Sequence, residues 1–144
     1  MKLIKTHVHQ DYPKLFTELK NNLYTNVISD INHSYNRYQG ETNFLHEFGI
    51  NKSNVQTDTV ISRIVGNIPP HSDNIDEFQR DVYLLVLDVS VANQYVESQS
   101  LPMLFQNNEF IGMRKGDLIK FSQRTTHALF WDRRIDIATF WTPM

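Results

Sequence analysis

His71 and Asp73 stand two residues apart in the segment NIPPHSDN, residues 67–74. The stretch leading to them is extended and β-branched, and in an extended chain residues i and i+2 project to the same face. An imidazole and a carboxylate placed that way suit two ligands of one divalent ion. A third donor must come from another strand. His127, at the head of the apolar run HALFW, is the candidate. Two imidazoles and one carboxylate on one face of a metal leave three positions open, the arrangement in which non-haem iron(II) does oxygen chemistry. Zinc prefers four-coordinate closure, and no fourth protein ligand stands out. The chain has no Cys, so thiolate metal sites, Cys nucleophiles and disulfides are excluded. Taken alone, H-x-D is also an ordinary polar turn between strands, and THALF an ordinary strand start.

Other residues carry weaker signals. His7 and His9 alternate along a predicted first strand, and an H-x-H pair can bind metal. His33 and His46 each read as surface or capping residues. Arg63 interrupts the β-branched run VISRIVG; a charge there faces an edge or a polar interior, where it is a candidate substrate contact. Trp131 and Trp141 read as packing residues. The segment MRKG, residues 113–116, reads as a charged turn.

The elements that must position these residues follow from periodicity. Tyr12, Leu15, Phe16, Leu19 and Leu23 recur at helical spacing, which predicts a helix with Asp11 as N-cap and Pro13 in its first turn. A second short helix is expected around Thr42–Phe48, ended by Gly49. From residue 57 the texture changes to strands. DVYLLVLDVSV is a nearly continuous apolar run, as in a strand buried on both faces. SLPMLFQ, EFIGM, GDLIKFS, THALFW and RIDIATFW follow at strand intervals. The expectation is one domain over residues 1–144, mainly β with N-terminal helices. Residues 1–56 form a helical buttress and a first strand, and 57–144 a β-core of sandwich or barrel type. With 40% apolar and 21% charged residues and a net charge of −2, the composition is that of an ordinary globular chain. Nothing indicates a broad nucleic-acid-binding face, although Arg63, Arg80, Arg124 and Arg133 leave a local basic cluster open. No apolar run approaches the roughly 20 residues of a membrane span, and MKLIKTHVHQD lacks a signal-peptide core, so the cytoplasm is the expected location.

Read together, IPPHSDN, the QR that leads into DVYLLVLDV, KGDLIKF, His127 and RRIDIATFW resemble, in order and spacing, the Fe(II)/2-oxoglutarate dioxygenases. The likeness is nearest to the prolyl-hydroxylase type and spans about residues 58–142. It implies a double-stranded β-helix, a jelly-roll or cupin-like barrel. It also implies an enzyme, a hydroxylase using Fe(II), 2-oxoglutarate and dioxygen on a substrate the sequence does not name. By position, His71, Asp73 and His127 would hold the iron, and Arg134 would pair bidentately with the far carboxylate of 2-oxoglutarate. Leu129 shares the face of His127 and would line the pocket. Tyr83 would either hydrogen-bond the cosubstrate or pack with Leu85 and Leu87. Parity along the last strand leaves an alternative. If Arg134 faces inward, so do Asp136, Ala138 and Phe140. If Arg133 does, Ile135 and Ile137 fill the barrel and Asp136 is solvated. The rival to the enzyme is a small cupin-like barrel that binds a metal or ligand without oxygenase activity.

Overall fold

The computed structural model describes residues 1–23, 28–29, 33–38, 43–49, 58–71, 80–90, 101–122 and 126–143. In chain order its elements are β1 (Lys2–Lys5), α1 (Val8–Asp11), α2 (Pro13–Asn22), β2 (Ile28–Ser29), β3 (His33–Arg37) and a 3₁₀ turn over Asn43–Phe48. There follow β4 (Asp58–Val65), β5 (Ile68–His71), β6 (Arg80–Val89), β7 (Met103–Gln106), β8 (Glu109–Gly112), β9 (Leu118–Ser122), β10 (His127–Phe130) and β11 (Arg134–Pro143). The strands form two antiparallel sheets, one ordered β1-β9-β6-β11-β4-β3-β2 and the other β5-β10-β7-β8. Among the described residues no ladder joins the sheets, so they face each other without closing into a barrel.

The long apolar run of β6 is explained by burial on both faces. Val82, Leu84 and Val86 point between the sheets, where they meet Ile119, Leu129, Ile135 and Ile137. Tyr83, Leu85 and Leu87 point the other way and pack beneath α2, with Ile61, Leu118, Ala138 and Phe140. The large sheet is thus the middle layer between a helix and the small sheet. Helix α2 buries Phe16 and Leu19, as its spacing requires. Pro13 opens it, but Asp11 is not its cap: it ends the preceding helix α1, and Tyr12 stands at the N-cap without a side-chain hydrogen bond. The turn expected before Gly49 is a 3₁₀ helix, and Gly49 ends it at φ 78°.

The N-terminal third does more than buttress. Strand β1 adds one edge to the large sheet, and β3 and β2 extend the other. The expected alternation of His7 and His9 does not occur, because β1 stops at Lys5. His7 turns the chain with φ 57°, and His9 lies in α1 with its ring 5.9 Å from that of Phe16. The MRKG segment is the expected turn, with Arg114 and Lys115 exposed. No helix among the described residues is long and apolar enough to cross a membrane.

Gly116 closes that turn at φ +88°, and a Cβ added there would collide with Nδ1 of His9. Both the backbone conformation and the close approach call for glycine. Gly116→Ala is expected to cost roughly 1–3 kcal/mol of stability, read by urea denaturation with the slope unchanged.

Candidate metal centre

Among the described residues β5 is the edge of its sheet, which accommodates one of Pro69 and Pro70; successive N–H groups point to opposite sides, and the other falls at the register shift between Ile68 and His71 in the pairing with β10. Its inner side pairs with β10, in a register that sets His71 opposite His127. Asn67 pins the start of the segment, its Oδ1 accepting a hydrogen bond of 2.9 Å from the backbone N–H of Trp131. The two imidazole rings meet edge-on with centroids 4.5 Å apart. Two imidazoles bound at right angles to one ion at ~2.1 Å would have centroids ~4.6 Å apart, and an edge-on ring contact gives the same spacing, so the pair is close enough to share a metal. His71 Nδ1 lies 2.9 Å from the carbonyl oxygen of Pro69. As an acceptor, that carbonyl selects the tautomer with the proton on Nδ1 and the lone pair on Nε2, an arrangement common in histidines that bind metal. His127 is buried against the ring of Phe121, and its other cross-strand partner, Gln106, donates Nε2–H to Ser122 O at 2.9 Å. Asp73, the expected carboxylate ligand, lies outside the described residues, as do Arg124 and the side chain of Arg80.

Between the sheets, beside the histidine pair, is a cavity of about 140 Å³. Leu129 lines it, as its parity with His127 requires. The remaining walls are mostly aliphatic, including Ile64, Leu84, Met113 and Ile137, with Ser62 and Thr139 supplying hydroxyls. His71 is exposed, which places the pair at the cavity's open end.

No protein-family model and no curated protein sequence matches the chain. Solved structures do. A prolyl-4-hydroxylase from Pseudomonas putida superposes with a TM-score of 0.67, covering 96% of this chain and 90% of that one at 11% identity. KdgF from a Halomonas species gives 0.52, covering 84% and 90% at 11% identity. The cupin domain of Cnp3 from Schizosaccharomyces pombe gives 0.52, covering 83% and 69% at 6% identity. The fold is cupin-like.

In this cupin-like frame the other expected site residues stand apart from the cavity. Strand β11 turns Ile135 and Ile137 inward, into the cluster between the sheets. Arg134 and Asp136 therefore face the helix-bearing side, and the inward placement of Arg134 is corrected. Asp136 is not solvated, as the other parity implied, but has no exposed surface. It receives Nε–H of Arg63 at 2.9 Å and Nη2–H at 3.1 Å, and Nη1–H of Arg134. Arg63, directly opposite Asp136 in the β4–β11 register, is thus a structural partner away from the cavity rather than a residue at its mouth. A bulge in β6 inserts Leu87 between the partners of Ile137 and Asp136. This turns Asp88 to the helix side, where it accepts hydrogen bonds from Arg134 at 3.3 Å and from Lys20 of α2 at 3.2 Å. Arg133 has the inward parity but falls in the turn before β11, partly exposed, 3.8 Å from the Asp132 carboxylate. It does not line the cavity. Tyr83 packs on the helix side with Leu85 and Leu87, the packing alternative. Trp131 is core. The signal that would have placed these residues was the I-D-I alternation of β11, which favours an apolar inner face over an inward Arg134.

Asp136→Ala leaves two guanidinium groups facing a buried gap. It is expected to cost about 3–5 kcal/mol, the typical loss when one partner of a buried ion pair is removed, measured by urea denaturation. Asp88 gives a pH prediction. Burial pushes its carboxyl up, but the hydrogen bond and charge of Lys20, then those of Arg134, outweigh this and hold it below the usual carboxylate range. A depressed carboxyl stabilises the fold above its unfolded value, about 3.9, and that stability is lost as pH falls through the folded value. The slope of unfolding free energy against pH below about 4 should be shallower in Asp88→Asn.

Proposed function

We propose that this protein is an iron(II)-dependent oxygenase whose ion is held by His71, His127 and Asp73. The observation that supports this most strongly is the histidine pair at the open end of the cavity, with the Pro69 carbonyl leaving Nε2 of His71 to bind metal. Asp73 is assigned because it follows His71 by two residues. Iron(II) bound there would supply dioxygen activation, which no side chain of this chain can perform. The protein's own share is to orient the two rings, through the β5–β10 register and the Pro69 carbonyl, and to keep water from the apolar space beneath them.

2-Oxoglutarate, implied by the family resemblance, is not matched by the described residues. Arg134 is engaged with Asp136 and Asp88 on the far face of the large sheet, and no Lys or Arg is among the described residues lining the cavity. No step is therefore derived through it. The apolar cavity and the cupin neighbours also favour a second reading, a cupin-like barrel that binds a metal or ligand without oxygen chemistry.

Anaerobic titration of the purified protein with Fe(II), followed by calorimetry, is expected to show one site. His71→Ala should weaken it by more than roughly 100-fold, since losing a ligand exceeds the roughly 10–100-fold loss from removing a group that orients one. His71 is exposed, so the variant keeps the fold, which circular dichroism verifies. A wild-type protein that takes up no Fe(II), or a folded His71→Ala variant that binds it equally well, overturns the assignment. Fe(II) binding without dioxygen uptake in the presence of any substrate tried would favour the second reading.

A further inference from the structure

The cavity beside the histidine pair selects its occupant by what its walls lack. We propose that it is a binding site for one small, uncharged, mainly apolar molecule, and that a dicarboxylate such as 2-oxoglutarate is not taken there. The inference goes beyond the metal assignment: an apolar occupant needs no ion on the histidines, and an ion there would serve one carboxylate of a dicarboxylate and leave the second unmatched.

Three observations carry it. The walls away from the mouth are aliphatic, with Ile64, Leu84, Met113 and Ile137 from four different strands or turns, and the polar groups are the hydroxyls of Ser62 and Thr139. Thr139 already donates to the Val60 carbonyl oxygen at 3.3 Å, so it is left mainly as an acceptor, which a carboxylate cannot use. A carboxylate buried in such a space needs a cation or several donors, and the described lining residues include no Lys or Arg, only the imidazoles of His71 and His127 at one end.

The second observation is that the arginines of β4 and β11 cannot turn inward cheaply. Arg63 and Arg134 share the Asp136 carboxylate, which has no exposed surface, and Arg134 also holds Asp88. Swinging Arg134 through the sheet would exchange these partners for an apolar wall. Strand alternation forbids it without a register slip, and a slip would expose Ile135 and Ile137.

The third observation is size. About 140 Å³ is close to the roughly 150 Å³ of apolar cavities that stay dry and take up benzene. One ring or a short chain fits, with a single hydroxyl or carbonyl directed to Ser62, Thr139 or the metal end.

Methyl-labelled protein, metal-free and in parallel loaded with Zn(II), is titrated with benzene and separately with 2-oxoglutarate. Expected are saturable benzene-dependent shifts of the Ile64, Leu84, Met113 and Ile137 methyl signals in both preparations, a melting temperature that rises with benzene, and no shifts of these signals with millimolar 2-oxoglutarate. Leu84→Phe, which fills the space, should abolish the benzene shifts; should that variant fail to fold, the wild-type methyl shifts alone decide. Saturable shifts of the same methyls by 2-oxoglutarate, or none by benzene, overturn the proposal. Benzene shifts in a protein that fails to bind Zn(II) or Fe(II) would remove the oxygenase reading and leave the cavity assignment standing.

Discussion

Strand β11 runs through the large sheet between β4 and β6, and its two-residue alternation governs what each face of that sheet can be. Ile135 and Ile137 go inward and make the interior apolar. Asp136, between them, must then go outward beneath the helices, where it has no contact with water. A carboxylate in that position requires partners, and the antiparallel register delivers Arg63 from β4 directly opposite. Arg134 joins from the same strand. The Leu87 bulge in β6 brings Asp88 to the same side, and Asp88 in turn holds Lys20 of α2. The network, three cations around two carboxylates, satisfies the buried Asp136 and ties the helix to the sheet.

The same division of faces shapes the candidate site. Charge is gathered on the helix side, while the space between the sheets keeps a mostly aliphatic lining with the histidine pair at one end. At that end an edge strand carrying two prolines pairs with β10 and sets two imidazoles opposite each other. The prolines have two effects. They fall where an open edge and a register shift leave the missing N–H groups cheap, and the carbonyl of Pro69 orients the His71 ring. The similarity to solved structures rests on this two-sheet frame; at 6–11% identity it speaks for the fold and leaves chemistry to the side chains.

Much of the frame was legible from local pattern. The apolar run of β6, the short strands that follow and the amphipathic spacing of α2 are dictated by which side chains must be buried, and burial leaves a period that can be read directly. The N-terminal strands were harder. Strands β2 and β3 are short; β3 becomes a strand because β4 offers it an edge, and β2 pairs in turn with β3. The His7–His9 pair misled because alternation holds only while the chain stays extended, and His7 leaves that conformation. For the site, the convergence of His71 with His127 and the pocket position of Leu129 followed from motif order and parity. The roles of Arg63, Arg134 and Tyr83 did not, since a residue type names a possible partner without saying which face it occupies.

By itself, then, the sequence determined the β-rich class, the burial of β6 on both faces and the N-terminal helix. These depend on near-neighbour spacing, which is a property of the chain. Only the tertiary structure decided the pairing of His71 with His127, the side to which β11 turns its arginine, the bulge that re-aims Asp88, the burial of Asp136 and the absence of Lys and Arg from the described walls of the cavity. Those depend on register between strands far apart in the chain, and a shift of one residue would reverse every one of them.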